Sequence, residues 1–484
     1  MGREVSTYRR IVKSTGLFGG VQGVNILCSI VRTKCLALWL GPEGVGILGL
    51  YTQASETIAQ ITGLGLRQSG VRDMSVACRE GDVRRMERVR LVLRRWSLTA
   101  GLLGAMVMLL LAPALSRWTF GDSLHIWGFV FLSGMLLMNA LVSGEQAIVQ
   151  GSGRLKILAR SGVWAAVVSL GLSLLLYYFL RIDGIVPSLL VISAVTLFFL
   201  FFYSRRGELP SEQPAPGWGE TLRDGYGMVK LGVYMTVSGF VVTLFSYLFS
   251  AWMNHRGGTV DVGYYQAGYN LMNRYFGLIF TAMGMEFYPR LASVCDDRAE
   301  MSRHVSQQAE ISLFILIPTI GLMLLFKGLV VRLLYTADFR IIEGYLLWSV
   351  PGVLFKAVSW AMAFILLAKG AGRLFLVTEI VSACITLGLN LLGYRSFGLA
   401  GVGMAYTLSF FVYTLYIGFI CRGRFGLRLT DSFWRVFAAG CGFSLLTFLC
   451  VGTEMRPAAY AVVAGGIVYS LWMLKKRLGL RRSE

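Results

Sequence analysis

Long apolar runs recur through this chain at a spacing that a lipid bilayer explains. A spanning helix needs about 20 mostly apolar residues. Fourteen such stretches can be marked, at approximately 14–40, 45–65, 96–112, 126–149, 160–179, 184–203, 228–252, 261–285, 310–331, 342–367, 374–394, 398–420, 433–452 and 457–474. What remains cannot coat a water-facing surface. Of 484 residues, 55% are hydrophobic and 15% charged, against roughly 25% charged in a soluble domain. The expected fold is an all-α polytopic membrane protein of about 14 transmembrane helices. A soluble enzyme is excluded. So is a nucleic-acid partner, because the basic residues are diluted in apolar sequence.

The few charges are lopsided, 46 Lys and Arg against 26 Asp and Glu. With the N-terminus inside, the inner connections hold 32 basic residues and the outer ones 7; the other 7 fall in or at the ends of spans. That asymmetry follows the positive-inside rule, so both termini are expected in the cytoplasm and the chain in a bacterial inner membrane. The outer connections are short and leave no room for an external catalytic domain, so no enzyme is expected. Eight cysteines form no C-x-x-C pair, and the three histidines are far apart. No metal or other cofactor is expected. Tyr8-Arg9-Arg10 faintly resembles a twin-arginine signal, but the long apolar stretch after it reads as a retained first helix.

The two halves match at a nearly fixed offset. At a shift of 217, Val12-Lys13 pairs with Val229-Lys230, Val45-Gly46 with Val262-Gly263, Leu170-Gly171-Leu172 with Leu387-Gly388-Leu389, and Gly184 with Gly401. At a shift of 219, Gly151-Ser152-Gly153-Arg154-Leu155 pairs with Gly370-Ala371-Gly372-Arg373-Leu374, which reads as one indel in a loop. Six spans separate equivalent positions. An even number preserves orientation, so the halves are parallel six-helix repeats followed by a C-terminal helix pair. The expected organisation is an N-terminal bundle (1–207), a cytoplasmic linker (208–227), a C-terminal bundle (228–421), and a two-helix appendage with a basic tail (422–484).

Several motifs carry a resemblance. They are Leu40-Gly41-Pro42-Glu43-Gly44-Val45-Gly46 after a long basic first span, Gly63-Leu64-Gly65-Leu66-Arg67 closing span 2, and Gln150-Gly151-Ser152-Gly153-Arg154-Leu155-Lys156. Tyr265-Gln266-Ala267, Phe287-Tyr288-Pro289-Arg290-Leu291, and Ala368-Lys369-Gly370 with Arg373 and Glu379 continue the series. In order and spacing, from about residue 8 to 421, they resemble the Wzx-type O-antigen and lipid-linked oligosaccharide flippases. These belong to the multidrug/oligosaccharidyl-lipid/polysaccharide exporter superfamily. Members commonly have twelve spans; the extra pair is similar to the fourteen-span lipid II flippases. The resemblance implies a flippase that moves undecaprenyl-pyrophosphate-linked oligosaccharide by alternating access through a cationic central cavity. Its partners would be the lipid-linked cargo, membrane lipids, a polysaccharide polymerase and glycosyltransferases. The alternative within the superfamily is a cation-coupled drug or metabolite antiporter.

Charges at bilayer depth cost about 2.5–3.5 kcal/mol on insertion scales and need a wet cavity or a partner. Arg32 and Lys34 in span 1, Arg274 in span 8 after Asn270 and Asn273, and Lys356 in span 10 are the candidate cargo-binding residues. Facing a common cavity, they would replace the hydration of a pyrophosphate with charge-assisted hydrogen bonds. Snorkelling to the headgroups is the bland reading. The acids Glu56, Glu145 and Glu379 are candidates for ion coupling or for intramembrane ion pairs. Lys13, Lys230, Arg154, Lys369 and Arg373 would form a cytoplasmic rim, or simply anchor the spans. Tyr264, Tyr265, Tyr269 and Tyr275 are placed to stack on sugar rings or to anchor at the interface.

Overall fold

A computed structural model describes the backbone of residues 2–206, 217–453 and 455–479, with side chains from residue 23 to 477 except at 231, 234, 235 and 285. Its helices are α1 (Gly2–Thr62), α2 (Leu66–Glu80), α3 (Val83–Phe120), α4 (Ile126–Gly151), α5 (Leu155–Leu180), α6 (Ile185–Arg205), α7 (Trp218–Leu271) and α8 (Gly277–Val294). They continue as α9 (Arg298–Leu325), α10 (Lys327–Leu334), α11 (Ile342–Ser349), α12 (Gly352–Ala368), α13 (Gly372–Phe425), α14 (Asp431–Gly452) and α15 (Arg456–Gly479). No strand occurs among the described residues. Side-chain caps mark the polar starts. Asp82 accepts from Arg85 N, Asp297 from Ala299 N and Glu300 N, and Thr430 from Phe433 N, each satisfying amides that a helix leaves open.

Among the described residues nine helical stretches are long and apolar enough to cross a membrane, or ten with the bent pair Ala337–Ser349 and Gly352–Ala368. The sequence expectation of about fourteen exceeds that count. The difference lies in four stretches of 40, 51, 49 and 54 residues, each long enough for two crossings. Three of the long helices break at a glycine: Gly41 (φ 64°) in α1, Gly258 (φ 77°) in α7 and Gly398 (φ 60°) in α13. A residue without Cβ enters that region at little cost. The fourth break, between α5 and α6, falls at Arg181, with φ 53°.

These breaks follow the repeat. Gly41 and Gly258 are 217 positions apart, as are Arg181 and Gly398. The turn between spans 4 and 5 also holds this register. Ser152, Gly153 and Arg154 donate to Ile148 O, Gln150 O and Val149 O; Lys369, Gly370 and Ala371 donate to Ile365 O, Leu367 O and Leu366 O. Gly153 and Gly370 share a left-handed φ of 70° and 65°. The 219-residue match and its indel are therefore corrected: the offset of 217 is unbroken here. Gly370 stands for Gly153, Lys369 for Ser152, and Arg373 for Lys156. The sequence match had aligned the wrong glycine of a Gly-x-Gly pair, since only the backbone tells which one turns.

The chain forms two compact units, Met1–Gly263 and Tyr264–Glu484. In the first, α1 and α7 cross closely. A Cβ on Gly46 would strike the Thr259 carbonyl, and one on Gly263 would strike that of Pro42. These are repeat equivalents in reciprocal contact. The basic segment after span 2 is helical: α2 buries Leu66 and Met74 against Val92, Leu93 and Ile148. At the far end of α3, Phe120 stacks on His125 with centroids 3.8 Å apart, and Tyr51 OH lies 2.8 Å from His125 Nδ1. In the second unit α9 packs against α12, α14 and α15. Arg477 of α15 pairs with the buried Glu310 of α9 at 2.8 Å, so an ion pair ties the C-terminal helix to that bundle.

Candidate functional site

In the first unit, Arg32 leaves α1 towards α5. Its Nε donates to Ser173 Oγ at 3.2 Å and its Nη2 to Ser169 Oγ at 2.9 Å. The two serines are one turn apart on α5 and buried, so together they hold the Nε–Nη2 edge of the guanidinium. Lys34 is half-buried. Two residues further on, it points about 200° around the same helix, so Arg32 and Lys34 do not share a face. Glu56 opens into a polar cavity of about 370 Å³ within this unit, lined also by Gln60, Arg67, Asn139, Ser143 and Thr236.

Glu145 lies apart from that cavity's lining. It is fully buried and takes a two-pronged pair from Arg94, with Nη2–Oε1 2.8 Å and Nε–Oε2 3.0 Å. Ser204 also donates to it. Arg154 is half-buried and donates from Nη2 to Arg206 O at 3.0 Å. Lys230 is exposed on α7. The side chain of Lys13 lies outside the described residues.

The second unit holds the closest meeting of expected site residues. Met272–Phe276 is a π-helical turn between α7 and α8, and it carries Asn273 and Arg274. Such bulges re-aim side chains and occur frequently at functional sites. Asn273 Nδ2 is held by Tyr269 O at 3.2 Å. Its Oδ1 receives Lys356 Nζ at 3.5 Å, and Lys356 also reaches Tyr406 OH at 3.5 Å. The ammonium lies 5.7 Å from the ring centre of Phe280, 5.9 Å from that of Tyr406 and 5.2 Å from that of Phe410. Aromatic faces within about 6 Å stabilise a cation away from water. The two hydrogen bonds are at the outer limit of useful length, so the three ammonium donors can turn to a better acceptor. An anionic oxygen is that acceptor.

Arg274 and Asn270 are exposed. Glu379 is half-buried and accepts from Tyr413 OH at 3.3 Å. Lys369 pairs with Asp296 at 3.3 Å, and Arg373 is exposed. Tyr265 is buried among Tyr269 and Tyr345, with centroids 5.7 and 6.4 Å away. It stacks within the protein.

Sequence reasoning missed the partners: Ser169, Ser173, Arg94, Tyr406, Phe280 and Phe410. It also missed Asn139, although the repeat held the signal. At the offset of 217, Lys356 corresponds to Asn139 and Asn273 to Glu56. Each half places a pair of polar groups at the same two helical positions. The first half has an acid and an amide, the second an amide and a cation.

Known proteins share this architecture. The polysaccharide biosynthesis protein family matches residues 36–342. A lipid III flippase of Escherichia coli (strain K12) is 20% identical over 405 residues, 81% of this chain and 93% of its own length. A candidate O-antigen transporter of Shigella flexneri is 21% identical over 415 residues, 82% and 94% of the two chains. Among solved structures, the lipid II flippase MurJ in an inward closed conformation superposes with a TM-score of 0.68 at 13% identity, covering 96% of this chain and 99% of its own. An inward-facing multidrug resistance MATE transporter also gives 0.68, at 16% identity and coverages of 83% and 94%. These relatives are flippases and transporters, not catalysts. With its all-helical membrane fold and a family match over more than half its length, the chain belongs to the polysaccharide biosynthesis protein family.

Proposed function

We propose that this protein flips an undecaprenyl-pyrophosphate-linked oligosaccharide, an O-antigen or related polysaccharide repeat unit, across a bacterial inner membrane by alternating access. The observation that carries the reading is Lys356. It is a cation held at depth by aromatic faces and two long hydrogen bonds, beside a π-helical turn that presents Arg274. A pyrophosphate crossing hydrocarbon needs donors that replace its water, and Lys356, Arg274 and Arg32 supply them. Lys34, Asn270 and Asn273 complete the candidate set. Lys13, Lys230, Arg154, Lys369 and Arg373 lie on the basic side, where the cargo headgroup would be collected, and both termini are assigned to that cytoplasmic side. A polymerase and glycosyltransferases are the partners such a cargo implies.

Export complementation with Arg32→Ala, Arg274→Ala and Lys356→Met, at equal expression, tests the assignment. Each is expected to lose most export; full export in all three would end the cationic-path reading.

A second reading rests on Glu56, which opens into a polar cavity and fits a proton or sodium site. In the flippase it would couple cargo movement to an ion gradient. In a drug or metabolite antiporter it would serve the same role with a cationic cargo. Purified protein in liposomes separates them. Gradient dissipation by the lipid-linked sugar supports the flippase, and dissipation by organic cations supports the antiporter. Glu56→Gln should abolish coupling in either.

A further inference from the structure

In the second unit, α12, the far arm of α13 and α14 frame a groove of about 520 Å³. Its wall is aromatic: Phe355 packs against Phe411 at 5.2 Å and Phe437 at 6.0 Å, and Phe433 stacks on Phe437 at 5.6 Å. Leu415, Phe419 and Trp434 at its edge are exposed, which opens the groove to the surroundings of a helix that lies in hydrocarbon. The lining is not wholly apolar. Arg422 and Arg428 border the same groove, on the basic turn between α13 and α14 that the charge count places on the inner face.

That turn is built, not loose. Gly426 ends α13 in the left-handed region with its amide on Arg422 O. Arg428 N donates to Ser302 Oγ and Thr430 N to Ser306 Oγ, both at 3.2 Å. The backbone therefore fixes where the two arginines emerge. Both side chains are exposed, and among the described residues neither guanidinium has a protein partner. An apolar slot open to hydrocarbon, continuing into two unpaired cations at headgroup level, has the polarity of an amphiphile with an anionic head. Arginine clusters between helices on the inner face are the usual seat of such headgroups.

We infer that this groove is a resident site for an anionic phospholipid of the bilayer, with an acyl chain against the aromatic wall and the phosphate on Arg422 and Arg428. It goes beyond the flippase reading, since the occupant is not the cargo. The lipid braces α14 on α12, the helix that carries Lys356 one residue after Phe355. This gives the C-terminal pair a role.

The test is native mass spectrometry of the purified full chain, titrated with phosphatidylglycerol and with phosphatidylethanolamine. Wild type should prefer the anionic lipid at least tenfold. Each near-surface arginine contributes about fivefold, so Arg422→Gln with Arg428→Gln should erase the preference, and Arg422→Lys with Arg428→Lys should keep most of it. Gly418→Leu projects into the slot, where a Cβ meets only Met362 at 3.8 Å. It should weaken both lipids alike while the protein stays monodisperse. Equal binding of the two lipids by wild type, or a preference that survives the double Gln variant, overturns the inference. So does recovery of a prenyl pyrophosphate, and not a phospholipid, as the species that wild type retains and the double Gln variant loses.

Discussion

At the residue scale, Lys356 and Glu145 make opposite predictions from superficially similar positions. Lys356 is loosely held, so its loss should act on transport more than on folding. Lys356→Met removes one charge-assisted contact, about 1.5–3 kcal/mol, or roughly 10–100-fold in flipping rate in proteoliposomes. Lys356→Arg should keep much of that rate, and the melting temperature in detergent should barely move. Glu145 is the reverse. Glu145→Ala takes the buried carboxylate away from the half-buried Arg94, at about 1.5–3 kcal/mol, and should lower the melting temperature clearly. Adding Arg94→Met should restore most of it. His125, outside the spans, is half-buried, and burial holds its pKa below the usual value, with Asp122 opposing. Its neutral form is therefore favoured by folding. Stability is full above the unfolded value of about 6.5 and falls as the pH drops towards the folded one. His125→Gln should flatten that slope in thermal melts between pH 7 and pH 5. The charges at depth were legible because hydrocarbon makes them conspicuous. Their partners were not: Arg94 hides in a run of basic residues, and Ser169 and Ser173 look like ordinary helix serines until Arg32 reaches them.

At the scale of elements, the repeat was more legible than the local geometry. The pairing of Gly46 with Gly263 was readable as an equivalence. The reciprocal contact behind it, each glycine under the other repeat's carbonyl, was not. Gly46→Ala must push α1 and α7 apart, at a cost typical of overpacking, about 1–3 kcal/mol. A lower melting temperature in detergent checks it, with Gly23→Ala as control, since a Cβ at Gly23 meets nothing within 4 Å. Helix α2 was invisible for a different reason. Its mean polarity is that of a loop, and only the alignment of Leu66, Ser69, Met74 and Ala77 on one buried side makes it a helix. The π-helical turn at Met272–Phe276 leaves no compositional trace either, because one extra residue in a turn changes the direction of side chains and not their type.

At the scale of the whole molecule, the count of 32 basic residues on one face against 7 on the other predicts topology directly. A fluorescent reporter that matures only in the cytoplasm should glow when fused after Glu484 and stay dark when inserted at Arg256. A glow at both positions would refute the assigned orientation. The offset of 217, which holds at the helix breaks and at the turn after span 4, also lets the chain serve as its own reference sequence. A residue of one half can be rewritten there with its counterpart from the other, at an equivalent backbone position. Glu56→Asn with Asn139→Lys would copy the Asn273 and Lys356 pair into the first half, leaving one molecule with two cationic pairs and no acid in its polar cavity. Comparing that symmetrised chain with its parent would separate what the duplicated scaffold does by itself from what the divergence of its two copies added.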